Sequence, residues 1–348
     1  MLHHAAAGYC PRPVNGTTPR GVSADIGIVV IGRNEGERLV RCLRSVSKVD
    51  ACAVYVDSNS SDQSVKTAKN FNVEIVELEH SNFGRSQARN RGFARLLELN
   101  PKAKFVQFLD GDCEIAPDWL NAAGQTLRAA PEVAAACGRI REHSPHASIY
   151  NRLCEIEWDQ PLGEVAACGG NCMMRVEAFQ AVGGFDTTVL AAEDDEICLR
   201  LRRQSWKILR IDAPMATHDA AMTRLEQWWR RAVRSGYAYA QGVNMYGSSP
   251  ERHFARENLR AWFWAFLLPV AAVGGAWPSR GFSLLSLVLY VALFTRIYFR
   301  TRRRAGSTLD AAAYAGACVI SKFAEFVGLL KFYRTQFRGT PLQLIEHR

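Results

Sequence analysis

Two aspartates separated by one glycine, Asp110-Gly111-Asp112, follow the apolar run KFVQFL at 104–109. Carboxylates that close repel each other unless positive charge lies between or beside them. A divalent cation meets that need: Mg2+ and Mn2+ prefer oxygen ligands and commonly take few from protein and several from phosphate. The pair therefore suits a site for a metal ion and a diphosphate. A second acidic group, Glu193-Asp194-Asp195-Glu196, opens a stretch with helical character, EDDEICLRLRRQS. An acidic helix start is also what the helix dipole favours without any catalysis. Asp57 ends another apolar run, ACAVYV, and either faces a ligand or opens an Asx turn in SNSSD.

The elements that must position these acids read as alternating strands and helices. IGIVVIG at 26–32 is a β-branched run of the kind that forms a buried parallel strand. Leu39, Val40, Leu43 and Val46 recur at helical spacing after it. Strands follow around Val54–Val56, in VEIVEL at 73–78 and in KFVQFLD at 104–110, separated by helical stretches over 64–71 and 86–99. This alternation predicts a doubly wound α/β sheet, in which ligands bind beyond the carboxyl ends of the strands. Asp57, Asp110 and Asp112 lie just past such ends. No glycine-rich dinucleotide fingerprint follows the first strand, which argues against NAD. Farther on, a helix to about Ala130, a strand in VAAACGRI, a strand, a short helix and a turn in AACGGNCMMRVEAFQAVGGFD at 166–186, a strand in KILRID and a helix over 223–245 are expected, with 141–165 less regular.

The chain has 348 residues, enough for a catalytic domain and an appendage, and is 48% apolar and 22% charged. Its net charge of +9 is unevenly spread: residues 249–348 hold 14 Lys/Arg against 5 Asp/Glu, so the whole surplus sits in the most apolar hundred residues. That pairing suits an anionic membrane surface, and no nucleic-acid motif accompanies it. AWFWAFLLPVAAVGGAW at 261–277 has 17 residues and no charge, and FSLLSLVLYVALF follows at 282–294. With flanking arginines at Arg252, Arg256 and Arg260 and again at Arg296, Arg300 and Arg302 to Arg304, the two runs predict a tight membrane hairpin over 261–299 with cytoplasmic ends. Residues 309–333 are amphipathic and predict an interfacial helix. A soluble helical subdomain or a dimer surface is the alternative. Ten cysteines form no zinc pattern; they are expected as reduced, mostly buried thiols. Residues 1–24 are polar and Pro/Gly-rich and are expected to be a disordered lead-in, with an accidental sequon at Asn15.

Six stretches in order resemble the family-2 glycosyltransferases, which have the GT-A fold: IVVIGRNEGERLVRCLRSV, VYVDSNSSDQS, GRSQARNRGF, FLDGDCEIAPDWL, GGNCMMRVEAFQAVGGFD and AEDDEICLRLR. The resemblance covers about residues 25–235. It implies a Rossmann-like, mostly parallel sheet in a catalytic domain over 25–245, followed by a helical, membrane-associated region over 246–348. It also implies a nucleotide-diphosphate sugar donor and inversion of the anomeric centre. Asn34 and Glu35 match the loop that holds the nucleoside, and Asp57 matches the aspartate that reads the base, often at a uracil ring nitrogen. Arg89 is expected to reach the diphosphate or fix a nucleoside-binding loop. Asp110 would contact ribose or the metal shell, and Asp112 would bind Mg2+ or Mn2+ directly. Gly169, Gly170 and Asn171 match the segment facing donor sugar and acceptor. Asp194 matches the general base and Glu193 would orient acceptor or base; Asp195 and Glu196 crowd the site with charge, which would raise the pKa of one member. The family has Asp where Glu196 stands. His218 is a candidate third metal ligand or phosphate contact. Gln227 to Arg231, QWWRR, partly resembles the Q-x-x-R-W motif of processive synthases and puts Trp229 and Arg230 forward as acceptor contacts. Arg231 replaces the final Trp, and a synthase's many membrane helices are lacking.

The expectation is a membrane-associated inverting enzyme that transfers one sugar to a lipid-linked or cell-surface glycan, at the cytoplasmic face of the plasma membrane. A nucleotidyltransferase would also use paired aspartates and a metal, but GRNEGE is a poor triphosphate loop. A non-catalytic scaffold of the same fold would have no need of Asp112 and Asp194.

Overall fold

The computed structural model describes residues 24–79 and 84–339; the expected lead-in and Asn15 lie outside the described residues, apart from Ala24. The chain forms two compact units. The first runs to His143 and adds Gln160–Thr188 and Glu193–Ala220; the second holds Ser144–Asp159, Val189–Ala192 and Ala221 onward.

The first unit is built on one mixed sheet of β1 (Ile26–Gly32), β2 (Cys52–Asp57), β3 (Glu74–Glu77), β4 (Phe105–Asp110), β5 (Cys113–Ile115), β6 (Val133–Glu142), β7 (Gly163–Glu164), β8 (Cys172–Arg175) and β9 (Lys207–His218). The strand order is β3-β2-β1-β4-β8-β6-β9-β5, with β7 also on β9. The first four strands are parallel, and β8 enters antiparallel between β4 and β6. The helices are α1 (Glu37–Val46), α2 (Ser64–Ala68), α3 (Arg85–Leu99) and α4 (Trp119–Ala129); α5 (Ile149–Trp158) belongs to the second unit; α6 (Val176–Ala181) and α7 (Glu193–Arg203) return to the first.

Burial explains the apolar runs. Ile28, Val29 and Val30 of β1 are wholly inaccessible, as a strand covered on both faces requires. Leu39, Cys42, Leu43 and Val46 place one face of α1 in the core. Helix α3 comes closer to the sheet than a side chain allows: a Cβ at Gly92 would lie 2.4 Å from Val29 Cγ1 and 2.8 Å from Val56 Cγ2. After β3 the chain crosses to the other side of β1, so the strand order reverses between β1 and β4 and leaves a crevice at their carboxyl ends. Register aligns those ends: Gly32 pairs with Asp57, and Ile31 with Asp110.

Strand β9 exceeds the expected 207–212 because it has neighbours on both sides, β6 and β5, which carry it on to His218. The residues it adds, APMATH, have no strand-like alternation; pairing rather than local propensity makes them a strand.

The second unit adds α8 (Leu225–Tyr246), α9 (Ala255–Trp262), a π-turn (Phe263–Leu267), α10 (Leu268–Gly274), a 3-10 segment (Phe282–Leu287), α11 (Val288–Thr301) and α12 (Thr308–Arg338). Helices α5 and α8 belong to the second unit with these C-terminal helices. Arg231 of α8 donates to both carboxylate oxygens of Glu157 on α5, at 2.7 and 3.0 Å. Helices α8 and α12 meet backbone to backbone: a Cβ at Gly236 would lie 1.8 Å from Glu325 O, and one at Gly328 2.0 Å from Val233 O. The buried Glu325 of α12 is matched by Lys322 Nζ at 2.7 and 2.8 Å.

Two described helical segments are long and apolar enough to cross a membrane, Phe282–Thr301 and Thr308–Arg338. The first arm of the expected hairpin runs through the end of α9, the π-turn and α10, with Pro269 near the start of α10. Among the described residues, every exposed large apolar side chain except Ile149, Leu162 and Leu225 lies between Leu259 and Phe337. Such a concentration is far beyond scattered surface apolar residues.

Substituting Gly236 with Ala forces α8 away from α12. It should lower stability by about 1–3 kcal/mol or more, read as a fall in thermal midpoint; an unchanged midpoint would contradict the backbone crossing.

Candidate active site

Two loops beyond β1 and β2 are tied together by their own polar groups. Asn34 has a left-handed φ of 55°, and its Oδ1 accepts the Ser61 N–H at 2.8 Å. Its own N–H donates to Ser60 Oγ at 2.9 Å, and Gly36 N–H donates to Asp62 Oδ2 at 3.2 Å. Asp57 is buried. Its Oδ1 accepts from Tyr55 OH at 2.8 Å and Ser60 Oγ at 2.6 Å, and its Oδ2 accepts from Ser60 N at 2.7 Å. Asp57 thus ties down the start of the SNSSD loop through a bond to the backbone three residues on. A carboxylate oxygen has two lone pairs, so these bonds leave one on Oδ2 for a further donor. Glu35 is also buried and pairs with Arg38 at 3.1 Å.

At the centre lies Arg89, on α3 one turn before Gly92 and only 1% exposed. Its Nη1 donates to Glu193 Oε1 and its Nη2 to Asp110 Oδ1, both at 2.8 Å. Burial by itself would lower the Arg89 pKa; the Asp110 and Glu193 carboxylates outweigh it and hold the guanidinium firmly charged. A buried cation of this kind persists only when its partners are well placed. Arg89 joins α3, the end of β4 and the start of α7.

The segment Gly169-Gly170-Asn171 runs alongside this cluster. A Cβ on Gly170 would lie 2.5 Å from Arg89 Nη2 and 3.3 Å from Asp110 Oδ2; one on Gly169, whose φ is 76°, would lie 3.8 Å from Asp194 Oδ2. Asn171 is buried, and its Oδ1 accepts the Asp110 N–H at 2.8 Å while its Nδ2 donates to Cys113 Sγ at 3.4 Å. The tripeptide thus lies against both the Asp110 and the Asp194 carboxylates.

Asp194 is the second residue of α7 and half-buried. Burial raises its pKa, Glu193 raises it further, and Arg89 partly offsets both. The crowding anticipated from Glu196 is relieved, because Glu196 accepts two bonds from Arg200 at 2.7 and 2.6 Å.

Asp112 and His218 meet at the other end of the cluster. Asp112 Oδ1 lies 3.5 Å from His218 Nε2. The ligand atoms of Asp112, Cys113 and His218 all lie within 4.8 Å of one another. Burial and the Asp112 charge push the Cys113 thiol well up, and a protonated thiol is not a ligand for a hard cation. The carboxylate and the imidazole do fit Mg2+ or Mn2+. Asp110, anticipated at ribose or in the metal shell, has one oxygen committed to Arg89. For His218, burial acts to lower the pKa, but Asp112 and then Glu142 prevail and raise it. Glu142, with Oε2 3.9 Å from His218 Nδ1, carried no sequence signal because it falls in the stretch read as irregular. Trp229 and Arg230 belong to α8 of the second unit, where Trp229 is half-buried and Arg230 pairs with Glu226.

Residues 27–183 match the family model described as Glycosyl transferase family 2, and residues 153–225 match one described as the N-terminal domain of galactosyltransferase. A curated relative, the pre-mycofactocin glycosyltransferase of Mycobacterium tuberculosis, is 27% identical over 326 residues, covering 88% of this chain and 63% of the relative. The chain thus spans less than two thirds of that relative's length. Among solved structures, the mannosyltransferase PcManGT of Pyrobaculum calidifontis, in complex with GDP-Man and Mn2+, superposes with a TM-score of 0.55 at 19% identity, covering 87% of this chain and 90% of that one. The likeness extends the GT-A fold to this chain.

Replacing Arg89 with Met leaves Glu193 buried without its counter-charge. We expect a loss of about 3–5 kcal/mol, seen as a large drop in thermal midpoint, with Arg89→Lys recovering only part of it. A wild-type midpoint for Arg89→Met would rule out the ion-pair bridge as a structural element.

Proposed function

We propose that this chain, which belongs to glycosyltransferase family 2, moves one sugar from a nucleotide-diphosphate sugar to a hydroxyl of a lipid-linked or cell-surface glycan, with inversion at the anomeric carbon. The observation that carries this reading is that Gly169 and Gly170 lie against two acids from distant parts of the sequence, Asp194 and Asp110, with the Arg89 guanidinium beside them.

The nucleoside is held by the tied loops carrying Asn34, Glu35 and Asp57. A remaining lone pair on Asp57 accepts a ring N–H, which favours uridine. Asp112 and His218 hold a divalent cation; when bound, such an ion offsets the charge developing on the departing diphosphate. Asp194 takes the proton from the acceptor hydroxyl as its oxygen attacks the anomeric carbon from the face opposite the diphosphate. Its raised pKa makes it a better base than an ordinary aspartate. Glu193, clamped by Arg89, fixes the first turn of α7 and so the aim of Asp194. Gly169 has only the Asp194 carboxylate near its missing side chain and permits close approach of the sugar, while Arg89 fills the space beside Gly170.

The exposed apolar side chains between Leu259 and Phe337, together with the flanking arginines, support attachment to an anionic membrane, where a lipid-linked acceptor lies. The arginine distribution favours the cytoplasmic face. Trp229 and Arg230 contact the acceptor in this reading.

Asp194→Asn should cut turnover by about 10²–10⁴-fold while leaving the nucleotide-sugar-induced rise in thermal midpoint intact; near-normal turnover would refute the base assignment. Turnover of the wild type should fall as pH drops through a value above the ordinary 3.8 of an aspartate. The same raised pKa means that the folded state carries a cost for an ionised Asp194 above that pKa, and none below 3.8. Asp194→Asn should therefore melt above the wild type at pH 7, and the gap should close as pH falls toward 3.8. After EDTA treatment, added Mn2+ or Mg2+ should restore turnover; equal turnover without metal would refute the cation's role.

A further inference from the structure

His218 ends β9 between two other strands. Register sets Glu142 of β6 opposite it on one side and Cys113 of β5 opposite it on the other. Its ring spans two carboxylates: Nε2 lies 3.5 Å from Asp112 Oδ1, and Nδ1 lies 3.9 Å from Glu142 Oε2. The Glu142 side chain is fully buried. The same Oε2 accepts the Ala220 N–H at 3.3 Å, two residues beyond His218. The backbone on either side of the ring is also pinned: His143 N–H donates to His218 O at 2.8 Å, and Asp219 N–H donates to Asp112 O at 2.9 Å. Asp219 in turn accepts from Arg41 Nη2 at 2.5 Å.

An imidazole that offers Nε2 to a cation must keep its proton on Nδ1. At 3.9 Å the pair is beyond hydrogen-bond length, so Glu142 acts through its charge: a buried carboxylate on the Nδ1 side favours a proton there and makes Nε2 more electron-rich. A surface carboxylate would be screened by water; Glu142 has no solvent to share its charge with.

We propose that Glu142 is a positioning residue that holds His218 in the Nδ1–H tautomer, with Nε2 directed to the divalent cation shared with Asp112. This rests on the reading of His218 as a cation ligand. It adds a residue that touches neither the cation nor the sugar nucleotide and sets how tightly the ion is held.

The test is Mn2+ affinity of the full chain without donor, by electron paramagnetic resonance, for wild type, Glu142→Gln, Glu142→Ala, His218→Ala and the His218→Ala/Glu142→Gln double variant. We expect Mn2+ binding about 10-fold weaker for Glu142→Gln and toward about 100-fold weaker for Glu142→Ala, with no further loss from Glu142→Gln once His218 is gone. With Mg2+ bound at Asp112, nitrogen-15 NMR of the histidine ring should report the Nδ1–H tautomer in the wild type and a mixture in Glu142→Gln, a change that a purely structural role for Glu142 would not produce. If His218→Ala binds Mn2+ as the wild type does, the ligand reading fails and this inference with it. If His218→Ala weakens binding and Glu142→Gln does not, the ligand reading stands and this inference alone is overturned. It is likewise overturned if Glu142→Gln weakens binding equally with and without His218. Should the Gln and Ala variants fail to fold, Glu142→Asp keeps the charge on a shorter arm and should give an intermediate Mn2+ affinity; wild-type affinity there would overturn the inference.

Discussion

One buried arginine sets the arrangement on which the rest of the first unit depends. Arg89 sits in the interior between Asp110 and Glu193, one at the end of β4 and the other at the start of α7. Removing a guanidinium from water is expensive, and only closely placed carboxylates offset it. The pair of bonds therefore acts as a geometric constraint. Helix α3 must come close to the sheet, which the missing side chain at Gly92 allows, and α7 must begin where Glu193 can reach. Gly170 leaves room for the guanidinium itself, since a Cβ there would lie 2.5 Å from Nη2.

That constraint sorts the acids into different tasks. Asp110 gives an oxygen to Arg89, and its backbone N–H is held by Asn171. Asp112, two residues on, faces His218. Asp194 keeps a raised pKa because burial and Glu193 act on it while Arg89 offsets only part. Carboxylates pushed into unlike environments can do unlike chemistry at one pH. The loops bearing Asn34 and Asp57 are bonded to each other before any ligand arrives, which lowers the ordering cost of binding a nucleotide.

Much of this was legible in the residues. The β-branched runs marked β1, β2 and β4, because strands buried on both faces must be apolar throughout. The acids beyond their ends followed from the topology of open α/β sheets. What escaped was decided by contacts between distant residues. Nothing local distinguishes Arg89 from a surface helix arginine; its role comes from Glu193, 104 positions away. The last half of β9 has no alternating pattern and becomes a strand through pairing with β5 and β6, and Glu142 gains its place by the same register. The close approach of α8 and α12 rests on Gly236 and Gly328, which have no periodic signature. The apolar tail was visible in composition, but its division at the π-turn was not.

The central claim is spatial: acids from the middle and from the later part of the domain serve one sugar nucleotide. A crystal structure of the protein with a bound nucleotide sugar and Mn2+ tests it most directly. The account predicts an anomalous manganese peak within ligand distance of Asp112 and His218, and an anomeric carbon whose open face, opposite the diphosphate, looks toward Asp194. A sugar turned away from Asp194, or manganese bound elsewhere, would contradict it.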